Sequence, residues 1–305
     1  MEFLYLLESI RMPVINEFML LITQLGEETA FLVAALILFW CIDKYTGYYI
    51  LSVGFIGTLA NQFLKLWFRI PRPWVIDSEF TILEQAREAA AGYSFPSGHT
   101  QSAVGTFGAI AYTTRNRLIK VAAISVASLV AFSRMYIGVH TPLDVFVSVA
   151  FSMILIVALR PLILNNFQRS FPHIFAFMMA VSIGFLCFVE VYRFPADIDA
   201  HNLASGLKNA YTLLGCLAGL LIVYIVDEKW LKFSTKAIWW AQILKVTGGL
   251  ILVLAVKSGL KTPLNSLFGD SFGRAVRYML VVIVAGVLWP LSFKFFNKLG
   301  VKEKE

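Results

Sequence analysis

Three short polar clusters interrupt an otherwise apolar sequence. They are Lys65–Pro73 (KLWFRIPRP), Pro96–His99 (PSGH) and Ser133–Asp144 (SRMYIGVHTPLD). Within them, Lys65, Arg72 and Arg134 supply permanent cations, which suit the oxygens of a phosphoryl group. The sequence therefore predicts an anion site that is assembled from three separate stretches of chain.

Ser97 and Gly98 lie where a helix is expected to begin. Ser97 follows Pro96 and precedes a helical run, so its hydroxyl can cap that helix. The unpaired N–H groups of the first turn, including that of Gly98, would point at the same anion. Gly98 would also let the backbone approach closely. We therefore expect both residues to bind phosphate.

His140 and Asp144 are four positions apart, and Pro142 is placed to open a helix between them. The carboxylate can then reach back to one imidazole nitrogen, which fixes the tautomer and leaves the other nitrogen as a nucleophile. His99 is then free to act as an acid. Asp144 has an alternative role, because Thr141 and Asp144 also form a capping box for a helix that begins at Pro142.

Each of these residues, taken singly, has a structural alternative. Lys65 can extend along the helix to reach water, and Arg72 and Arg134 can mark the positively charged boundary of a span. An interfacial histidine can simply be a polar tip in water. The combination favours function, because a specified string such as PSGH has roughly two chances in a thousand of occurring in a chain of this length.

The rest of the sequence indicates an all-α protein that crosses a membrane several times. Of its 305 residues, 58% are hydrophobic and 15% are charged, against about 25% charged in soluble proteins. Basic residues occur in short groups at the ends of apolar runs, so we expect no nucleic-acid partner. Cys41, Cys187 and Cys216 lack metal-ligand spacing, and we expect neither disulfides nor a metal site. Glu2 and Glu8 in the first ten residues argue against a secretory signal.

Apolar runs of roughly 17 to 25 residues predict about nine transmembrane helices. These lie near 27–42, 46–68, 97–114, 118–138, 142–160, 173–192, 208–226, 238–258 and 275–296. Residues 1–26 have apolar side chains at helical spacing, which predicts an amphipathic interfacial helix interrupted at Pro13, with a further half-depth span as the alternative. We therefore divide the chain into this helix, a catalytic core at 27–160 and additional transmembrane helices at 161–305.

The stretch at 69–93 is the longest polar connector in the early part of the chain. Thr81 and Glu84 have capping-box spacing, which predicts a short helix that ends at Gly92. This connector is either a lid over the site or a solvated link, and the pattern favours a link. Alternating spans place the three polar clusters on one face of the membrane. The distribution of Lys and Arg predicts that this face and the N-terminus are extracytoplasmic and that the C-terminus is cytoplasmic.

Glu190 and Lys245 are charges within or near later apolar spans. A charge at mid-depth costs about 2.5 to 3.5 kcal/mol on insertion scales, so each of them needs a partner or water. A polar pathway and a structural position near a helix end are both consistent with the sequence. The structural position is favoured because both residues lie within two turns of a boundary.

The order and spacing of the three clusters resemble the signature motifs of the type 2 phosphatidic acid phosphatase (PAP2) superfamily, which also includes vanadium haloperoxidases. The matching residues are Lys65, Arg72, Pro73, Pro96, Ser97, Gly98, His99, Ser133, Arg134, His140 and Asp144. The resemblance covers about residues 27–160. The core followed by further helices is similar to the sphingosine-1-phosphate phosphatase branch. Glucose-6-phosphatase is less alike, since its second and third motifs are more widely separated.

The resemblance implies an integral membrane lipid phosphatase that needs no metal or other cofactor. His140 would attack phosphorus and become a phosphohistidine, Asp144 would orient it, and His99 would protonate the leaving oxygen and then activate water. The non-bridging oxygens would be held by Lys65, Arg72, Ser97, Gly98 and Arg134. The partners would be membrane lipids and an amphiphilic substrate, such as a polyprenyl diphosphate, a sphingoid phosphate or a glycerolipid phosphate. A lipid-phosphate transporter or flippase, and a phosphotransferase with an alcohol acceptor, are the alternatives.

Overall fold

The computed structural model describes residues 1–299 except 89, 91 and 197, and all the regular secondary structure in this part of the chain is helical. This confirms the predicted all-α class. The helices form two compact units. The first comprises Met1–Ala34, Tyr49–Asn166 and Tyr192–Gly206, and the second comprises Ala35–Tyr48, Phe167–Val191 and the described residues from Leu207 onward. All three polar clusters lie in the first unit.

The first half of the chain carries the helices that position these clusters. They are α1 (Glu2–Ser9), α2 (Pro13–Gln24), α3 (Glu28–Ile37), α4 (Lys44–Phe68), α5 (Pro73–Ile76), α6 (Gly98–Ala103), α7 (Ala109–Thr113), α8 (Arg117–Tyr136) and α9 (Pro142–Arg160). A π-helical stretch at Val104–Gly108 joins α6 to α7, so that one helical run extends from Gly98 to Thr113. Within the first unit, α8 packs against α1, α2, α6 and α9.

The second half of the chain is composed mainly of long apolar helices. They are α10 (Phe167–Val191), α11 (Ala200–Val226), α12 (Trp239–Gly259), α13 (Lys261–Phe268), α14 (Asp270–Ile283), α15 (Trp289–Leu291) and α16 (Phe293–Lys298). A π-helical turn at Asp227–Leu231 extends α11. Residues 300–305, the end of the predicted 161–305 segment, lie outside the described residues.

The described part of the chain contains seven helical stretches that are long and apolar enough to cross a membrane. They are Lys44–Ile76, Arg117–Tyr136, Pro142–Asn165, Phe167–Val191, Ala200–Leu231, Trp239–Phe268 and Asp270–Lys298. An eighth results if Pro13–Gln24 and Glu28–Ile42, which meet at 54°, form one bent span. The predicted span at 97–114 is the run from Gly98 to Thr113, which is shorter than the other spans. The chain is therefore a multi-pass membrane protein, but the predicted count of nine is not confirmed.

Local capping fixes where the helices of the site begin. Thr141 and Asp144 form a full capping box at the start of α9, in which Thr141 Oγ1 accepts from Asp144 N at 3.3 Å and Asp144 Oδ2 accepts from Thr141 N at 2.8 Å. Pro142 occupies the first helical turn of α9. Ser97 caps α6 by accepting a hydrogen bond from Thr100 N at 3.4 Å. The sequence thus encodes both of these helix starts locally.

The helix predicted from Thr81 to Gly92 is wrong for the described residues of that stretch, and residues 89 and 91 lie outside them. Only a 3-10 turn at Glu84–Ala86 forms. The N–H and hydroxyl of Thr81 both donate to Glu8 of α1, and Glu84 pairs with Arg87 at 2.6 Å. The N-terminal helix therefore takes the group that would have capped the predicted helix.

The N-terminal segment is interrupted before Pro13, as predicted, since α1 ends at Ser9 and α2 begins at Pro13. Arg11 lies between the two helices, where its Nε donates to Tyr136 O at 3.0 Å and its Nη1 donates to Thr81 O at 2.9 Å. The hydroxyl of Tyr136 donates to Asn16 Oδ1 at 2.9 Å. These contacts tie α1 and α2 to the end of α8, next to the third polar cluster.

Candidate active site

The structure brings the three polar clusters together at the end of α4 and α8 and the start of α6 and α9. Ser97 N donates to Asp144 O at 3.2 Å, which joins the second cluster to the third. Arg72 Nη1 lies 3.0 Å from His140 Nε2, which joins the first cluster to the third. Six of the eight predicted site residues are buried, namely Lys65, Arg72, Ser97, Arg134, His140 and Asp144. The convergence expected from the sequence is therefore present in the fold.

Asp144 acts on its helix and on His140 at the same time. Its Oδ2 atom accepts from Thr141 N at 2.8 Å and from the hydroxyl of Ser94 at 2.6 Å, and it lies 3.3 Å from His140 Nδ1. Capping and orientation, which the sequence presents as alternatives, therefore coexist at one oxygen. Two donors, Thr141 N and the Ser94 hydroxyl, hold this carboxylate in place against the imidazole ring.

Arg72 defines the tautomer of His140. Its Nη1 atom lies 3.0 Å from His140 Nε2 and also donates to Val139 O at 2.9 Å, while its Nε donates to Gly92 O at 3.0 Å. A guanidinium group has only donors, so Nε2 must be the acceptor in this contact. The proton of a neutral His140 then lies on Nδ1, facing Asp144. This arrangement leaves the lone pair on Nε2.

The electrostatic surroundings favour neutral His140. The residue is buried, and burial is the largest effect that lowers its pKa; the positive charges of Arg72, Lys65, Arg134 and His99 lower it further, to well below its usual value of about 6.5. Near neutral pH the imidazole is therefore unprotonated at Nε2. An anion bound among these cations would oppose part of this effect.

Arg134 is a buried cation whose hydrogen-bonding capacity is only partly used. It is 1% exposed, and its Nη1 donates to Thr23 Oγ1 at 2.6 Å. Its Nε and Nη2 atoms are buried and have no hydrogen-bond partner among the described residues. Because a buried charge with unpaired donors is costly, this arrangement favours an anionic ligand at the open edge.

Lys65 approaches the same region from α4. Its Nζ donates to Tyr93 O, and it lies 3.5 Å from Ser94 O. Lys65 is 6% exposed and contacts carbonyl groups rather than a carboxylate there. The ammonium group is therefore not paired with a carboxylate among the described residues, and its burial does not fit the alternative of a side chain extended into water.

The start of α6 supplies the remaining predicted residues. Ser97 is fully buried, and His99 Nε2 is buried without a hydrogen-bond partner among the described residues. A methyl group at Gly98 would meet only Asn61 Oδ1, at 3.6 Å, which is an ordinary contact. Packing within the protein therefore does not require glycine at this position. The N–H of Thr100 is bonded to Ser97, whereas the N–H groups of Gly98 and His99 have no intrahelical acceptor and are suited to bind an anion.

A small cavity of about 60 Å³ lies next to this arrangement, between α4, α6 and α9. It is lined by Asn61, Leu64, Pro96, Gln101, Val147, Ser148 and Phe151, and the surface facing it is apolar. Ser148 donates to the carbonyl oxygen of Asp144 at 2.8 Å, so the cavity adjoins the polar site directly. The cavity therefore offers an apolar surface beside the predicted phosphate-binding residues.

Two residues of the site have no counterpart in the sequence predictions. Ser94 donates to the Asp144 carboxylate, and Thr23 accepts from Arg134. Ser94 lies two positions before Pro96, and Thr23 lies at the end of α2, far along the chain from Arg134. Single hydroxyl groups at such separations produce no periodic or spacing signal. Only the fold reveals these two contacts.

Comparison with known protein families gives a match over the part of the chain that contains the predicted site residues. The PAP2 superfamily model matches residues 44–169, which include all eight predicted site residues. A second model, described as the transmembrane extension of PAP2 superfamily phosphatases, matches residues 211–304. The chain belongs to the PAP2 superfamily. The resemblance predicted from the three clusters is therefore confirmed.

Individual PAP2 relatives share moderate identity with this chain. Sphingosine-1-phosphate phosphatase 1 of Mus musculus is 24% identical over 264 residues, which cover 78% of this chain and 58% of that protein. Phosphatidylglycerophosphatase B of Bacillus subtilis is 32% identical over 149 residues, covering 45% of this chain and 69% of that protein. Undecaprenyl-diphosphatase BcrC of Bacillus subtilis is 34% identical over 102 residues, covering 33% and 50% respectively.

The chain thus spans between half and about two thirds of the length of these relatives. The sphingosine-1-phosphate phosphatase branch fits the combined match to the superfamily core and its transmembrane extension. No solved structure matches the chain.

Proposed function

We propose that this protein is an integral membrane phosphatase that removes phosphate from an amphiphilic phosphate monoester or diphosphate. The observation that carries this proposal is the buried chain of contacts from Asp144 through His140 to Arg72. A carboxylate faces Nδ1 at 3.3 Å, and a cation lies 3.0 Å from Nε2. Binding alone would not require an oriented imidazole lone pair beside a cation.

The proposed reaction has two steps. A phosphoryl group that enters beside Arg72 takes over the Nη1 donor, and His140 Nε2 attacks phosphorus as the bond to the leaving oxygen breaks. His99 donates its proton to that oxygen. A water molecule then loses a proton to His99 and attacks phosphorus, so that the N–P bond breaks and phosphate leaves. Asp144 stabilises the positive charge on the imidazole ring while the bond to phosphorus exists.

The cations and amides of the site provide the electrostatic stabilisation. Lys65, Arg72 and Arg134, together with the N–H groups at the start of α6, are placed to hold the non-bridging oxygens. Lys65 lies on α4, Arg134 lies on α8 and Arg72 directly precedes α5, and all three side chains are buried, so the stabilising charges act in a poorly screened environment. In this mechanism, the side-chain cations and backbone amides supply all the stabilisation that the negative charge on the phosphoryl oxygens needs.

The amphiphilic nature of the substrate is supported by the surroundings of the site. The apolar cavity lined in part by Leu64, Val147 and Phe151 adjoins the carbonyl oxygen of Asp144. Leu143 and Phe146, near the start of α9, are 60% and 70% exposed, so apolar surface lies close to the polar site. The substrates in the relatives' names are a sphingoid phosphate, a glycerolipid phosphate and a polyprenyl diphosphate. The proposed substrate is a member of these classes.

We also propose that the site faces the extracytoplasmic side and that the C-terminus is cytoplasmic. The excess of Lys and Arg in the loops of the opposite side supports this orientation. A fluorescent protein that matures only in the cytoplasm, fused to the C-terminus, is expected to fluoresce. Activity of a C-terminal reporter that works only outside the cytoplasm would contradict the proposed orientation.

The decisive experiment measures release of inorganic phosphate by the purified protein in detergent with a chelator present. The panel contains a sphingoid phosphate, a glycerolipid phosphate and a polyprenyl diphosphate, and orthovanadate is the inhibitor. His140→Ala is expected to lower turnover about 10⁴-fold or more, because the nucleophile is lost. His201→Ala, an exposed histidine in α11, is the matched control and is expected to retain wild-type turnover.

Three outcomes would contradict the proposal. Retention of activity by folded His140→Ala would exclude His140 as the nucleophile. Movement of labelled lipid phosphate across vesicles without phosphate release would favour a transporter. Appearance of the phosphoryl group on an added alcohol, with no release to water, would favour a phosphotransferase.

A further inference from the structure

We propose that Thr23 is a positioning residue for Arg134, and that the turn between α2 and α3 forms a wall of the phosphate site. This inference rests on the proposed function, because it concerns how the same phosphate is held. Neither Thr23 nor this turn lies in the part of the chain matched by the superfamily model, which begins at residue 44.

The first observation is the hydrogen bond between Thr23 and Arg134. Thr23 Oγ1 accepts from Arg134 Nη1 at 2.6 Å, and the two residues are 6% and 1% exposed. The Nε and Nη2 atoms of Arg134 remain without partners among the described residues. Those two atoms form one edge of the planar guanidinium group, and such an edge binds two oxygens of a phosphate at once. Thr23 therefore holds one corner and leaves a bidentate edge open.

The second observation is the close packing of Gly26. A Cβ atom at this position would lie 2.9 Å from His99 O and 3.0 Å from His99 Cβ, and 2.7 Å from Val130 Cγ1. The first of these neighbours is backbone, which cannot move away cheaply. Only glycine therefore lets the turn lie directly against the start of the α6 helix and against α8. The same turn thus contacts the predicted general acid and, through Thr23, the phosphate-binding Arg134.

The third observation is that α2 is anchored to α8 at a second point. The hydroxyl of Tyr136 donates to Asn16 Oδ1 at 2.9 Å, and Met12 N donates to the Tyr136 hydroxyl at 3.4 Å. These contacts fix α2 on α8 on the side of Thr23 away from the turn. The Thr23 hydroxyl is therefore held at a defined place relative to the Arg134 side chain, as a positioning role requires.

The test compares Thr23→Val, which keeps the shape but removes the acceptor, with Thr23→Ser, which keeps the acceptor. Affinity for orthovanadate is measured from the concentration dependence of the thermal unfolding temperature, which needs no turnover. Thr23→Val is expected to weaken vanadate binding about tenfold, and Thr23→Ser less than about threefold. Asn16→Ala is the control for loosening of α2: it removes only the second anchor and keeps the Thr23 hydroxyl, so it is expected to lower the unfolding temperature and to weaken vanadate binding clearly less than Thr23→Val does. If Thr23→Val does not fold, Thr23→Ala takes its place.

Equal vanadate affinity in wild type and Thr23→Val would overturn the inference. Equal weakening in Thr23→Val, Thr23→Ser and Asn16→Ala would also overturn it, because the effect would then be general loosening of the fold. Wild-type protein that binds vanadate but hydrolyses none of the panel would contradict the proposed function and leave the Thr23 result to stand by itself. Wild-type protein that binds no vanadate would contradict both.

Discussion

Arg134 in the first unit and Asp227 in the second are both charged groups removed from water, but their hydrogen bonding differs. Asp227 is fully buried, and it accepts from Lys44 Nζ at 2.7 Å and from Phe233 N at 3.3 Å. Arg134 has one partner, Thr23, and two buried donor atoms without one among the described residues. Burial alone therefore does not identify a binding residue. Arg134 is suited to a ligand because its unsatisfied donors lie within the group of site residues, whereas the Asp227 carboxylate is paired with a cation.

Lys245 and Glu190 fit the structural side of this comparison. Lys245 is fully buried in α12, where its Nζ donates to Thr235 O at 3.2 Å and lies 4.1 Å from the centroid of the Phe293 ring. Glu190 lies one residue before the end of α10 and accepts from the Tyr211 hydroxyl at 2.9 Å. Both charges have local partners near a helix end. The favoured structural interpretation therefore fits the contacts, without a polar pathway.

The largest expected effect separates Arg134 from another buried arginine. Arg134→Gln removes the charge and the open Nε–Nη2 edge, and kcat/KM for a lipid phosphate is expected to fall about 10² to 10³-fold, as for loss of a transition-state donor. Arg277→Gln is the control for burial, since Arg277 is 4% exposed in α14 of the second unit and also has a buried Nε atom without a hydrogen-bond partner among the described residues, but does not belong to the three polar clusters. Its kcat/KM is expected to remain within about threefold of wild type. Similar losses in both variants would contradict the comparison.

A smaller effect is expected from Ser94, which acts through Asp144. Ser94→Ala removes the 2.6 Å hydrogen bond to the carboxylate, whereas the Thr141 N–H remains bonded to the same oxygen. We expect kcat to fall about tenfold with KM unchanged, because the lost hydrogen bond stabilises the oriented carboxylate by about 1 to 1.5 kcal/mol. Ser148→Ala is the matched control, because its hydroxyl donates to the Asp144 carbonyl oxygen and not to the carboxylate. Equal kcat values for the two variants would exclude an orienting role for Ser94.

The pH dependence tests the cationic surroundings of His140. Protonation of Nε2 removes the nucleophile as the pH falls, and because the pKa of His140 is well below 6.5, the acid limb of kcat/KM is expected below pH 6.5. Lys65→Met removes one of the cations that lower this pKa, so the acid limb is expected to move to higher pH even though the maximum rate falls. The alkaline limb follows loss of the proton from His99, and because burial and the charges of Arg134, Arg72 and Lys65 lower the pKa of His99 as well, this limb is expected at lower pH than a free imidazole would give. An acid limb above pH 6.5, or one that Lys65→Met does not move, would contradict this account.

The parts of the site that the sequence predicts are those encoded over short distances. His140 and Asp144 are one helical turn apart, and Ser97 caps the helix that follows it directly, so spacing alone places them. Thr23 and Arg134 are 111 positions apart, and one hydroxyl carries no pattern that identifies its partner. The same limit explains the error at Thr81, where a distant residue, Glu8, takes the capping group.

The predicted count of nine spans is not confirmed, for a related reason. Apolar composition predicts a helix at 97–114, and a helical run from Gly98 to Thr113 is present. Its start is fixed by Ser97 at the site, so the run is too short to count among the helices that can cross a membrane. Hydropathy detects that a segment is buried, but it does not distinguish burial in lipid from burial among other helices.

The smallest expected effect on activity comes from the paired charge of the second unit. Lys44→Met leaves the fully buried Asp227 without its 2.7 Å cation, and the protein is expected to lose about 2 to 3 kcal/mol of stability, because Lys44 itself is partly exposed. Phosphate release per folded molecule is expected to stay within about twofold of wild type. The double variant Lys44→Met/Asp227→Asn is the control, and it is expected to unfold at a higher temperature than Lys44→Met because no uncompensated charge is buried. The contrary result is that turnover is lost in Lys44→Met and remains lost in the double variant. That result would show that a paired charge of the second unit also serves the reaction, and it would contradict the distinction between paired structural charges and ligand-binding charges such as Arg134.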